Sequence, residues 1–303
     1  MSYNVKSPVA VIIFNREDKA KQLLKVLEMV KPSKLYIVAD GPRNPSEMDK
    51  CIKTRNVFEN VPWNCEVKRN YSDKNLGCCV RPESGFTWVL EQEEYAILLE
   101  DDCMPSEDFF RFCDEMLEKY KDDERIMQVC GTNFMKEWNK TPYSYFFAQW
   151  GCNWGWATWA RAWKLYDVNI STWKDPYVKK MFEARLGSGV FKSRAPIYDV
   201  HCENINNITA WDHQWSYTRI LQNGLSILPN RNLVTNIGSG ADATHTSDME
   251  DNSLKAYSME FPLKHPPYVM PDRNFDQAIE ERNFNVKPLY KKVIYKVRRM
   301  LAK

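Results

Sequence analysis

Up to about residue 120, short apolar runs alternate with stretches of helical spacing. PVAVIIF (8–14) is a β-branched run too short for a helix, and in the EDKAKQLLKVLEMV that follows, Leu23, Leu24, Leu27 and Val30 share one helical face. KLYIVAD (34–40) is a second strand, stopped by the turn pair Gly41-Pro42. After a helical stretch, NCEVKRNY (64–71) is a third strand and YAILLEDD (95–102) a fourth. Helices are predicted over SGFTWVLEQ (84–92) and from Phe109 to about Tyr120, the latter opened by Pro105 with Ser106 as its cap. Strand and helix in alternation predict an α/β domain with a largely parallel sheet. Such sheets bind ligands beyond the carboxyl ends of their strands. Those ends are Phe14-Asn15-Arg16, Ala39-Asp40-Gly41 and Glu100-Asp101-Asp102, all polar and all predicted on one edge.

Beyond residue 125 the periodicity loosens, and Trp and Asn become frequent. RIMQVCG (125–131) and LSILPN (225–230) read as strands, HQWSYTRIL (213–221) as a helix, and 170–205 as helical pieces around a GSG turn. Trp156, Trp159 and Trp163 have helical spacing and are assigned to the core. From about Ser247 the chain is polar and punctuated by Pro and Met, as expected of a segment wrapping the body. Residues 287–303 place Leu289, Val293, Val297 and Leu301 four apart, with Lys and Arg on the other flank. Two readings stay open there: an amphipathic helix lying on anionic lipid, or a helix docked on the body with a solvated basic face.

Composition narrows the class. With 303 residues, 44% hydrophobic and 27% charged, the chain is long enough to bury a real core. The net charge of +2 conceals a division: residues 287–303 carry +7, leaving −5 on the rest. Nothing in this balance calls for a nucleic-acid partner. Nine cysteines, an odd number without C-x-x-C spacing, are expected as thiols in a reducing compartment. The run ending at Phe14 is followed at once by polar residues, so a strand is expected there rather than a signal peptide. No stretch of about 18 apolar residues occurs that would span a membrane. A cytoplasmic location is expected, peripheral on the inner membrane face if the tail binds lipid.

Several constellations can carry chemistry. Three adjacent carboxylates at a strand end repel one another unless a cation balances them. Oxygen ligands suit a hard divalent ion, Mn²⁺ or Mg²⁺; the alternative is a solvated loop before a helix whose dipole favours acids. Asp40 in YIVADGPR can accept from a base N–H or a ribose hydroxyl, or serve as a turn residue. In NLGCCVRPESG (75–85), Asn75 and Gly77 suggest a turn approached by ligand and Arg81 a phosphate partner; a plain surface loop is the other reading. Trp154-Gly155-Trp156 sets a glycine between two indoles, so the backbone can bend and offer aromatic faces to a sugar ring. Asp212 lies between Trp211 and Trp215, beside His213. Lost hydration would make it more basic, as a general base requires; capping the helix is its alternative. In NIGSGADATHT (236–246), Gly238 and Gly240 make a permissive loop, and His245 can supply a nitrogen ligand to an ion held by the triplet.

In their order along the chain, PVAVIIFNR, VADG, NLG with Arg81, ILLEDD, WGW, WD and ATH make residues 8 to about 246 resemble a nucleotide-sugar glycosyltransferase of the GT-A fold. The chain is similar to inverting enzymes with a Glu-Asp-Asp metal motif, of the N-acetylglucosaminyltransferase I type, and to bacterial GT-A-like sugar transferases carrying NLG, EDD and WGWATW. The resemblance implies a single GT-A domain, Rossmann-like, with a nucleotide-sugar-binding half over 1–132, an acceptor-binding half over 133–248 and a C-terminal extension over 249–303. It implies Asp40 at the nucleobase or ribose, with Phe14, Asn15 and Arg16 lining that pocket, and Arg81 facing the diphosphate or donor sugar. Asp102 would coordinate Mn²⁺ or Mg²⁺, while Glu100 and Asp101 hold ribose and donor-sugar hydroxyls. Trp154, Gly155 and Trp156 would stand on the acceptor side, and Asp212 would be the base. The reaction implied is transfer from a nucleotide-sugar, UDP by resemblance, to a hydroxyl of a saccharide or lipid-linked saccharide with inversion.

Two other classes share some of these features. A nucleotidyltransferase that makes sugar nucleotides also uses acids around Mg²⁺, but it needs a Gly-rich, basic signature near the first strand, and FNREDKAK has no glycine. A non-catalytic carbohydrate-binding protein would use the tryptophans, yet gives no reason for the acid triplet or Asp40.

Overall fold

The protein's computed structural model describes residues 3–203, 210–238 and 254–286. Strands β1 (Val9–Ile13), β2 (Lys34–Ala39), β3 (Glu66–Tyr71) and β4 (Tyr95–Glu100) form as the aliphatic runs predict, connected by α1 (Glu17–Val30), α2 (Met48–Asn56) and α3 (Gly77–Leu90). They pair in parallel in the order β3-β2-β1-β4. Successive side chains on a strand point to opposite faces, so each strand feeds two cores. Val9, Val11, Ile37 and Leu99 pack with Leu23 and Leu27 of α1 and with Phe109, Phe110 and Met116 of α4 (Glu107–Lys119). Ala10, Ile12, Val38 and Leu98 pack with Phe86 and Val89 of α3. Burial on both faces is why β1, β2 and β4 read as near-continuous aliphatic runs.

The second half of the chain extends the same sheet. With β6 (Ile126–Cys130), β7 (Tyr145–Ala148), β8 (Trp156–Trp159) and β9 (Leu225–Pro229), it has eight strands in the order β3-β2-β1-β4-β8-β6-β9-β7. Four of its seven ladders are parallel; β8 runs antiparallel to both neighbours, and β7 is antiparallel to β9. The architecture is thus α/β, a mostly parallel sheet flanked by helices. A two-stranded ribbon joins β5 (Cys103–Pro105), which follows the acid triplet, to β10 (Val234–Asn236).

Two local expectations are corrected. Trp156 and Trp159 lie on strand β8, followed by the single helical turn α5 (Ala160–Trp163), instead of on one helix. The slot between β4 and β6 offers this segment a ladder on each side, which outweighs its helical spacing. The burial of Trp156, Trp159 and Trp163 is as expected. Helix α3 begins seven residues before the predicted Ser84 and carries Pro82 in its interior; what fixes its start is described below.

Helix α6 (Pro176–Glu203) bends at Gly187, where φ is 75° and ψ 150°. Helices α7 (Asp212–Leu221) and α8 (Arg273–Phe284) pack with α6 and β7 around Phe146, Phe182, Tyr217 and Phe275. Residues 254–286 run along the body, as expected of the polar segment. The Tyr257 amide donates to the Asn232 carbonyl (2.7 Å), the Met259 amide to the Asp108 carboxylate (2.8 Å), and the Trp138 indole to Asp272 (2.7 Å). All nine cysteines are free. Among the described residues no helix is long and apolar enough to cross a membrane.

Candidate functional site

The chain leaves β1 to build β2 and β3 on one side, then returns to lay β4 on the other side of β1. The strand order reverses between β1 and β4, and a crevice opens beyond their carboxyl ends. Arg16 follows β1 and Asp101 and Asp102 follow β4, so the three residues face each other across this switch point. Arg16 forms a fork to Asp101, with Nε donating to Oδ2 (3.2 Å) and Nη2 paired to Oδ1, while Nη1 donates to Oδ2 of Asp102 (3.0 Å). Part of the cation that the acid triplet requires is therefore supplied by the protein itself, from a position 85 residues upstream of Asp101.

Burial raises the carboxyl groups of Asp101 and Glu100. Asp101 is 1% exposed, and loss of hydration pushes its carboxyl up to about 6, against the opposing pull of Arg16. Glu100 is pushed well above the carboxylate range by burial and then by repulsion from Asp102, Asp101 and Asp212, which also puts Asp212 within electrostatic reach of the triplet. Asp102 keeps 15% of its side chain exposed. The Gly-rich loop lies directly on it: the Ile237 amide donates to the Asp102 carbonyl (2.8 Å), and a β-carbon on Gly238 would come 2.5 Å from Asp102 Oδ2. No side chain fits at Gly238 while that carboxylate stands there. His245 lies outside the described residues.

Asp40 has a different occupation. Its Oδ1 accepts from the Gly41 and Leu76 amides (2.8 Å each), and its Oδ2 from the Gly77 amide and Asn75 Nδ2 (3.0 Å each). Four donors fill the acceptor capacity of one carboxylate. Asp40 thereby fastens the NLG turn to the end of β2 and supplies the cap of α3, which its own residue Leu76 does not. This external cap explains the early start of the helix. As placed, the acceptor positions of Asp40 are taken by these four donors.

Two other expected ligands are committed elsewhere. Arg81 is buried, and its Nη2 is bonded to the carbonyl and to Oδ1 of Asn70 on β3 instead of facing a phosphate. Trp156 is buried, its ring stacked on Trp211 at 5.3 Å and 22°, and it offers no face to a sugar. Trp154 keeps a partly exposed ring, edge-on to Phe134 at 5.3 Å. Gly155 has φ +64°, and its close approach to Val234 is open only to glycine. The β4–β8 ladder ends at the Leu98–Trp156 pair, and the Trp154 carbonyl accepts from Thr132 Oγ1 (2.7 Å). Phe14 and Asn15 stand at the mouth of the crevice, Phe14 under the Arg43 guanidinium (5.3 Å) and Asn15 Nδ2 at 3.4 Å from Glu47.

Asp212 opens α7 between two buried indoles, Trp211 stacked on Trp156 and Trp215 donating to Gln128 (3.1 Å). Its Oδ1 is buried and without a hydrogen-bond partner. A carboxylate oxygen left free in this way is available to take a proton, which the capping alternative would not leave. Sequence reasoning does not single out Arg194 and Arg219, which line the same cavity as Asp212. For Arg219 a signal existed: Asp212, Ser216 and Arg219 recur at i, i+4 and i+7 on one face of α7.

No family model matches the chain, and no curated protein matches it. Among solved structures it is similar to UDP-glucose pyrophosphorylase complexed with UDP-glucose, at 9% identity over 73% of this chain and 90% of that one, with a TM-score of 0.33. That likeness is too slight to carry a conclusion about this chain.

Proposed function

We propose that the chain is a metal-assisted glycosyltransferase that moves a sugar from a nucleoside diphosphate, UDP in the first instance, to a hydroxyl of a saccharide acceptor, with inversion. The observation that carries this reading is the meeting of Arg16, Asp101 and Asp102 at the switch point between β1 and β4, with Asp212 in electrostatic reach. An anionic, sugar-bearing ligand suits such a crevice: Arg16 can turn from the acids to phosphate, and Glu100 and Asp101 offer oxygens to sugar hydroxyls.

The donor set fits a hard divalent ion in one manner only. Among the described residues no three His, Cys, Asp or Glu side chains gather to hold a metal. Asp102, partly exposed beside Gly238, is the carboxylate that would hold Mg²⁺ or Mn²⁺. An ion held there would supply positive charge to offset that of the departing diphosphate. Asp212 Oδ1 takes the proton of the acceptor hydroxyl, whose oxygen bonds to the anomeric carbon. The bond from that carbon to the diphosphate breaks, and its electron pair leaves with the nucleoside diphosphate. Trp154, the exposed indole of the pair, lines the acceptor side.

Titration with UDP, GDP, dTDP and CMP, with and without Mn²⁺, tests this. Metal-dependent binding of a single nucleoside diphosphate, lost in Asp102→Ala, is expected. Asp212→Asn should keep donor binding and lower turnover by about 10²- to 10⁴-fold, the usual worth of a general base. Absence of any nucleotide binding would sink the proposal.

A further inference from the structure

A cavity of about 70 Å³ lies between α6, α7, α8 and the residues before β8, lined by Arg194, Arg219, Asp212, His213, Ser216 and Asn153 among others. Arg219 is only 3% exposed. Its Nη1 donates to the Gln149 carbonyl (3.0 Å) and to Ser226 Oγ (2.6 Å), its Nε is buried without a partner, and among the described residues no carboxylate pairs with it. Arg194 is held with Nη1 at 3.2 Å from His213 Nδ1 and its guanidinium 4.6 Å from the Phe284 ring centroid; its Nε is likewise buried and unpartnered. Among the described residues of the lining, Asp212 is the sole acid beside two arginines. The neighbouring acid Asp276 is spent on the Gln149 and Trp150 amides.

A buried guanidinium without a counter-charge is strongly unfavourable, and Arg194 and Arg219, each with an unpartnered Nε, both line this cavity. One water needs about 10–15 Å³, so the cavity has room for a small oxyanion. We propose that it binds an anionic oxygen group, a phosphate or a carboxylate, between Arg194 and Arg219. Resting on the transferase reading above, that group belongs to the acceptor. Anchoring it there brings a neighbouring hydroxyl to Asp212 Oδ1, so the substrate class is a charged saccharide or glycosyl phosphate instead of a neutral glycan.

Calorimetry of the full chain with inorganic phosphate, repeated with methyl phosphate and with acetate, tests the cavity; each titration is run with and without saturating UDP and Mn²⁺. Saturable phosphate binding that survives UDP and Mn²⁺ is expected. It should weaken at least about tenfold in Arg194→Gln, the worth of one charge-assisted hydrogen bond. Asn283→Trp, at an exposed position on the cavity rim, should block the anion without touching a buried contact, and it serves if Arg194→Gln fails to fold. A preference for methyl phosphate or for acetate identifies the anion. No phosphate binding, binding unchanged in both variants, or binding abolished by UDP would overturn the proposal. Phosphate held here by a protein that binds no nucleotide would keep the cavity and remove the transferase reading; the reverse pattern would do the opposite.

Discussion

Two acids follow the strands that flank β1, on the same sheet edge, and they have opposite fates. Asp40, after β2, is surrounded by three backbone amides and one side-chain amide that use all its acceptor positions. Asp102, after β4, has one guanidinium contact, a partly exposed carboxylate and a glycine pressed against it. Residue type and position are the same; what differs is the number of donors the surrounding chain brings. A carboxylate saturated by main chain is a fastener, whereas one left with spare lone pairs beside a crevice can exchange partners. Asp101 stands between them, buried like Asp40 but paired to a side chain that can move.

Substitution separates the three. Asp40→Ala orphans the amides of Gly41, Leu76 and Gly77 and uncaps α3. It should cost about 3 kcal/mol or more in urea unfolding, each unsatisfied buried group being worth about 1–3 kcal/mol. If that variant instead unfolded like wild type but lost nucleotide binding, Asp40 would be a ligand after all. Arg16→Ala leaves Asp101 buried without its cation. A loss of about 2 kcal/mol is expected, less than for a fully buried pair because Arg16 is partly exposed. Adding Asp101→Asn in that background should recover part of the loss, and a double-mutant cycle without coupling would break the assignment. Asp102→Ala should have the smallest effect on folding, within about 0.5 kcal/mol, as is usual for substitutions that orphan nothing. In the same variant metal-dependent nucleotide binding should disappear. A large stability loss there would place Asp102 with Asp40.

Strands β1, β2 and β4 were legible because each carries its burial in its own sequence: five apolar residues bounded by turn residues. Strand β8 was not, since four residues are too few to show a period and WATW fits either spacing until β4 and β6 close on it. The same holds for β5 and β10, three residues each, which exist because they pair across the chain. At the site, the position of the acids could be read from the strand that precedes them. Their partners could not. Arg16 is 85 residues from Asp101, and the donors that occupy Asp40 are mostly main-chain amides some 35 residues away, which no side-chain pattern encodes. The NLG motif contained the hint, because a glycine at φ +79° marks a turn whose amides converge on something. Arg81 misled for the converse reason: a lone arginine near a turn says nothing of whether its guanidinium is claimed by a neighbouring strand.

The antiparallel strand wedged between β4 and β6 has a consequence for how the chain is made. Strands β1 to β4 are complete when residue 100 leaves the ribosome, but the far edge of β4, Tyr95 to Leu98, stays bare until β8 arrives 56 residues later. At about 5–20 residues per second, that aliphatic edge waits roughly 3–11 s for its neighbour. During this interval it is an open template for another nascent chain.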